Sequence, residues 1–127
     1  SAHALMAFPT VVQEPEAFDR WLAEQAKGAR PADSDLTRRG QQLFAKHGCG
    51  ACHRIRGTSA AGTLGPDLTH VGSRRSLAAG TLFNEPASYV RWIQHPAAVK
   101  PDAKMPRFDM LPAADLEAMA AYLDGLR

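Results

Sequence analysis

An all-α fold follows from three features of this chain. Four segments carry apolar side chains at spacings of three and four, no segment sustains strand alternation, and a long stretch in the middle has no period at all. The first segment runs from about Pro15 to Lys27, with Phe18, Trp21, Leu22 and Gln25 on one face. Pro15 suits a first helical turn, and Gly28 ends the run. Ala29 to Ser34 then reads as a linker, because Pro31 and small polar residues break the period. A boundary therefore falls there, dividing a leading segment, 1–30, from a body, 31–127.

The second segment, about Leu36 to His47, has Ser34 or Asp35 as its cap and Leu36, Gly40, Leu43 and Phe44 as its stripe. It stops at Gly48 and delivers the chain directly to Cys49. From Arg54 to Leu82 the sequence is rich in Gly, Ser and Thr, with one short helical turn expected near Ser76–Ala79. A stretch that long without structure argues against an ordinary compact domain unless it wraps something. A third helix opens at Pro86 and runs to about His95, bringing Tyr89, Val90, Trp92 and Ile93 to the core before Pro96 halts it. The fourth starts at Pro112 and carries Leu116, Met119, Ala120 and Leu123, with Tyr122 at its edge.

The 127 residues suit one domain, and 45% are hydrophobic but only 7% aromatic. A buried cofactor would supply the missing apolar volume. No run of about 18 apolar residues is present, so no membrane-spanning helix is expected, and any signal peptide or anchor belongs to a longer precursor. The net charge of +2 is too small to argue for nucleic acid or an acidic membrane surface. Residues 1–35 hold three bases and six acids, a balance of −3, which leaves +5 for the rest. Such a dipole can orient a redox partner, although an evenly mixed solvated surface explains it as well.

Cys49-Gly50-Ala51-Cys52-His53 is a C-x-x-C-H signature for covalent haem attachment. Two intervening residues let both thiols reach two vinyl groups on one porphyrin edge, and the adjacent imidazole then swings under the iron. The signature uses both cysteines in the chain. Three other readings compete: a zinc site, which wants a second ligand pair that is not evident; a thioredoxin-like pair, which wants a βαβ context; and a structural disulfide, which leaves the long loop unexplained.

The sixth ligand decides between electron transfer and chemistry on a bound small molecule. A thioether opposite the imidazole favours ferrous iron and closes the metal. Met105, in Lys104-Met105-Pro106, is the candidate, on a loop stiffened by Pro101 and Pro106. Met110 competes. Met6 lies far out in the leading segment, and Met119 fits a helix stripe. The Pro66 carbonyl, in Gly65-Pro66-Asp67-Leu68, is a candidate partner for the His53 ring N–H, with an ordinary turn as the competing reading. Arg74, Arg75, Tyr89 and Trp92 carry donors suited to haem propionates, Arg74 and Trp92 first among them. His47, His70 and His95 read as surface or helix-end residues.

With these residues in view, the body from Leu36 to Leu126 resembles class I cytochrome c. In that family the first and last helices cross closely at a glycine, which places Gly40 and Phe44 against Leu116 and Tyr122. The run Gly65 to Arg74, then Leu77-Ala78-Ala79-Gly80, Trp92-Ile93, Lys100-Pro101 and Met105-Pro106, is similar to the cytochrome c domain of subunit II of caa-type haem-copper oxidases. His3 and Met6, followed by Val11-Val12 and Pro15 to Leu22, resemble the end of the dicopper domain of that subunit. In that family a His and a Met at these positions ligate copper beside two bridging thiolates, which this chain lacks. The resemblance therefore implies one haem c here and copper in the parent subunit only.

It further implies single-electron transfer from a quinol-oxidising complex or small cytochrome to the copper centre of an oxygen reductase. The isolated chain would be monomeric and without catalysis of its own, at the periplasmic or outer face of a bacterial plasma membrane, its parent anchored by N-terminal helices. Two alternatives stay open: a freestanding periplasmic carrier, and a haem protein whose open sixth site binds or reduces a small molecule.

Overall fold

The computed structural model describes residues 8–127; His3 and Met6, the two copper-ligand positions of the resemblance, lie outside the described residues. Helix α1 spans Pro15–Ala26, α2 Asp35–Lys46, α3 Pro86–Gln94, α4 Pro96–Val99 and α5 Ala113–Asp124. Four of these match the sequence expectation, and α4 is an addition. Pro96 does not simply end the third helix; it opens a further single turn, because a proline at the first helical position gives up no needed N–H.

Local chemistry sets the start of α2. Ser34 Oγ accepts from the Thr37 amide at 3.1 Å, while Thr37 Oγ1 accepts from the Ser34 amide at 3.0 Å. This reciprocal pair satisfies two donors that would otherwise be orphaned at the helix start. Asp35 in the first turn and Lys46 in the last complement the helix dipole. Gly40, Leu43 and Phe44 face inward, whereas Leu36, expected on the same stripe, is half exposed.

Helix α5 is the centre of the packing, touching both α2 and α3. Sandwiched in this way, it buries Leu116, Ala118, Met119, Ala120, Tyr122 and Leu123, more of its circumference than one stripe. Tyr122 is consequently a core residue and not an edge one. The α2–α5 crossing is close because position 40 is glycine: a Cβ there would collide with the Ala118 carbonyl and come 2.7 Å from Tyr122 Cβ. Phe44 meets Tyr122 edge to face at 6.0 Å, and Arg39 reaches Asp115 at 2.6 Å.

The long central stretch is irregular but tied down. A 3-10 turn covers Cys49–Ala51 and another Val71–Ser73. The expected helical turn near Ser76–Ala79 is absent. In its place β1 (Ser76–Leu77) pairs antiparallel with β2 (Leu82–Phe83), with Leu77 opposite Leu82 and both buried. Ala78, Ala79 and Gly80 close this hairpin with φ of 50°, 57° and 83°. Two-residue strands are too short to display a period, which is why the sequence hides them.

Helix α1 has no buried residue, and Phe18, Trp21 and Leu22 are each about half exposed. The segment after it is not a free linker. The Ala29 amide donates to the Arg56 carbonyl at 2.8 Å, and the Arg30 amide to the Arg127 carbonyl at 3.1 Å. Among the described residues no helix is long and apolar enough to cross a membrane.

Candidate haem site

The end of α2 turns directly into the attachment motif. The amides of Cys52 and His53 both donate to the Cys49 carbonyl, at 3.2 and 3.0 Å, winding the two cysteines into one tight turn. The following loop folds back onto it, with Gly62 N bonded to Gly50 O and Gly65 N to Cys52 O. Both thiols are free and half buried. Burial pushes the Cys49 thiol up, with the neighbouring Cys52 adding to a shift that a backbone hydrogen bond partly offsets. Among the described residues, no three His, Cys, Asp or Glu side chains gather as a metal cluster, so the zinc reading finds no ligand set. The motif also lies after a helix and outside any βαβ unit.

The His53 ring is held on one side only. Its Nδ1 lies 2.8 Å from the Pro66 carbonyl, so this nitrogen carries the proton and donates. Among the described residues Nε2 has no protein partner, leaving its lone pair for an iron. The loop backbone packs against the same ring at Gly65, where a Cβ would come 2.5 Å from Cε1 and 2.7 Å from Nδ1. A carbonyl on one nitrogen, a glycine against the ring and a free second nitrogen are what an axial imidazole requires. The residues present therefore fit a haem.

Cys49, Leu68, Val90, Trp92, Val99, Met105, Phe108 and Leu111 are partly buried and pack on the core cluster. Met105 belongs to this set, whereas Met110 is 69% exposed and Met119 is buried within α5. The Phe108 amide donates to the Ile93 carbonyl at 3.0 Å and ties the methionine segment to α3. Trp92 is half buried, and its indole N–H has no protein acceptor among the described residues.

The other expected donors divide. Arg74 is exposed, and its guanidinium donates to the Asp67 carbonyl at 2.5 Å, beside Pro66. Arg75 is exposed. The Tyr89 hydroxyl is committed elsewhere: it donates to Asn84 Oδ1 at 2.7 Å, and the Asn84 amide in turn donates to the carbonyls of Val71 and Arg74. Of the histidines, His95 ends α3 at the surface, His70 lies 3.3 Å from the Arg56 guanidinium, and His47 ends α2 with a buried Nε2 that has no partner among the described residues.

Sequence reasoning missed Arg56, Asp67, Thr69 and Asn84. Their partners are main-chain groups or side chains brought up by the loop fold, and no spacing in the sequence announces such contacts.

A helical body closed by crossing first and last helices, with a one-sided imidazole after two free thiols, is the class of haem-binding electron-transfer protein. The chain belongs to the cytochrome c family, whose model matches residues 37–127, and it has the class I cytochrome c fold. Over nearly its full length it is also similar to proteins described as cytochrome c oxidase subunit 2. It is 32% identical to that of Alkalihalophilus pseudofirmus over 126 residues and 28% identical to that of Bacillus subtilis over 130 residues. The subunit 2 of Bacillus sp. strain PS3 matches at 28% over 131 residues. Each match covers 99% of this chain but 36% of the relative, so the chain spans about a third of the length of these relatives. Family membership carries haem c binding and haem-based electron transfer with it.

Proposed function

We propose that this chain moves single electrons through one covalently attached haem c and passes them to the copper centre of a haem-copper oxygen reductase of caa type. The observation that carries the reading is the His53 ring, bonded through Nδ1 to the Pro66 carbonyl with Nε2 left free. Cys49 and Cys52 would hold the porphyrin as thioethers, His53 and Met105 would hold the iron, and Arg74 and Trp92 would supply donors to the propionates. When bound, the haem supplies a one-electron couple between ferric and ferrous iron. The Pro66 carbonyl would make the imidazole a better donor, and the partly buried Leu68, Met105 and Phe108 would limit water at the iron.

The donor in this reading is a quinol-oxidising complex or a small cytochrome, and the acceptor is the dicopper domain of the same subunit. Residues 1–30 form the leading segment that joins that domain, and residues 31–127 the cytochrome domain. The length and names of the relatives support this arrangement. Attachment to the acceptor raises the effective donor concentration to about the millimolar level, so a weak docking surface suffices. The site is then on the periplasmic or outer face of a bacterial plasma membrane. A freestanding periplasmic carrier is the second reading, and the exposed basic groups of the body, including Arg75, Arg91 and Arg107, suit it equally.

The test is to measure the mass of the purified chain and then to mix it, reduced, with a soluble dicopper fragment of an oxidase subunit 2. One porphyrin per chain and rapid oxidation by the fragment is the expected result. A chain without porphyrin refutes the haem reading, whereas a haem-loaded chain that the fragment does not oxidise, but a soluble cytochrome does, favours the freestanding carrier.

A further inference from the structure

Arg56 stands where the exit of α1 meets the loop that follows Pro66, a junction at which His70 Nε2 also lies 3.1 Å from the Lys27 carbonyl. Its guanidinium donates through Nη2 to the main-chain carbonyls of Gln25, at 2.5 Å, and Lys27, at 3.1 Å, at the exit of α1. Through Nη1 it reaches Asp67 Oδ2 at 3.5 Å, and His70 Nε2 lies 3.3 Å from Nη2. The main chain of the same residue is also occupied on both sides. Its amide donates to Thr69 Oγ1 at 2.9 Å, and its carbonyl accepts from the Ala29 amide at 2.8 Å.

These contacts bracket Pro66. The Thr69 amide donates to Asp67 Oδ1 at 2.8 Å, the Leu68 amide to the Arg54 carbonyl at 2.8 Å, and Arg74 to the Asp67 carbonyl. Residues 54–56 and 67–69 are thus pinned together directly after the residue whose carbonyl orients His53. Asp67 is held in its charged form here: burial alone would raise its carboxyl, but hydrogen bonds from Thr69 and the charges of Arg56 and Arg54 outweigh this and lower it.

We propose that Arg56 is a positioning residue that couples the exit of α1 to the His53–Pro66 hydrogen bond, so that displacement of the leading helix changes the reduction potential of the haem. The inference rests on the haem reading above. A guanidinium is suited to this role because its planar fork bonds carbonyls on one edge and a carboxylate on another, which a lysine ammonium cannot do with the same geometry. The consequence is directional. A looser Pro66 carbonyl withdraws less strongly on the ring proton, the imidazole becomes a poorer donor, ferric iron is less stabilised, and the potential rises.

The experiment uses the haem-loaded full chain and reads two quantities, the midpoint potential and the exchange rate of the His53 Nδ1 proton by NMR. Arg56→Gln is expected to raise the potential and to accelerate exchange about tenfold, the loss of roughly one hydrogen bond. Arg56→Lys keeps the charge beside Asp67 and recovers part of both effects. Gly28→Val acts from the other end, since a Cβ at Gly28 would lie 3.2 Å from the Arg56 carbonyl at the α1 exit. It should move both readouts in the same direction by a smaller amount, and it carries the test if Arg56→Gln does not fold. Haem-loaded variants in which neither readout moves overturn the proposal. A shift in Arg56→Gln with none in Gly28→Val also overturns it, because the link to α1 would then be absent. A wild-type chain with no bonded porphyrin fails earlier and differently, by removing the haem reading itself.

Discussion

His53 Nδ1 and the carbonyl oxygen of Pro66 lie 2.8 Å apart across thirteen residues of chain, and the loop between them is closed by Gly65 packed against the imidazole. The ring is thereby held in one tautomer and one orientation before any ligand arrives, which lowers the cost of placing it under an iron.

That packing predicts a specific failure. Gly65→Ala puts a methyl group 2.5 Å from His53 Cε1, so either ring or loop must move. The haem-loaded variant should lose about 1–3 kcal/mol of stability to overpacking. Guanidinium unfolding of the haem-loaded protein measures this, and an unchanged midpoint would show that the loop does not press on the ring.

The two methionines separate by burial. Met105 packs on the core and Met110 is 69% exposed. Met105→Ala should abolish the weak red methionine-to-iron charge-transfer band and let carbon monoxide bind the ferrous protein at neutral pH. Met110→Ala should change neither. The opposite pattern would move the ligand to Met110, and carbon monoxide binding by the unaltered protein would favour an open sixth site.

Helix packing predicts contrasting stabilities. Gly40→Ala drives a Cβ into the Ala118 carbonyl at the α2–α5 crossing and should cost about 3 kcal/mol or more, because backbone cannot yield as a side chain can. Trp21→Ser on α1, at a position 49% exposed, should change thermal stability by no more than about 0.5 kcal/mol. Calorimetry of both variants checks the pair, and a large loss at Trp21 would mean that the α1 face is covered.

Alkaline stability follows from Tyr89. Burial, reinforced by the nearby Asp124 and partly offset by the charges of Arg74 and Arg127, pushes its phenol from 10.0 up to about 12. The folded state therefore retains this proton where the unfolded state releases it. The contribution is intact below about pH 10 and is lost as pH rises toward about 12. Tyr89→Phe should flatten this decline in a series of denaturant titrations. It should also cost about 1 kcal/mol at neutral pH, from the missing bond to Asn84. Tyr122, also raised by burial, leaves part of the alkaline decline in place.

Legibility in the sequence followed the range of the interactions. The helices α1, α2, α3 and α5 were readable because each rests on a local period, begun by a capping box in α2 and by a proline in the other three, and the glycine crossing at Gly40 because the family pattern places it. The hairpin at Ser76–Phe83 was not, since two-residue strands carry no period. Tyr89 shows the limit of donor chemistry: its hydroxyl suited a propionate, but Asn84 stands 2.7 Å away and takes it. The supposed linker at Ala29–Ser34 looked free because its restraints, the carbonyls of Arg56 and Arg127, are remote in the chain.

By itself the sequence determined the haem-binding family and its helical framework, because the Cys49–His53 motif and the helix periods are local patterns of residues. Only the tertiary structure decided which carbonyl turns that imidazole, which methionine is sheltered, and that Arg56 joins α1 to the loop behind Pro66. Those are contacts between distant segments, and their energies depend on how the loops close, which no local pattern of residues records.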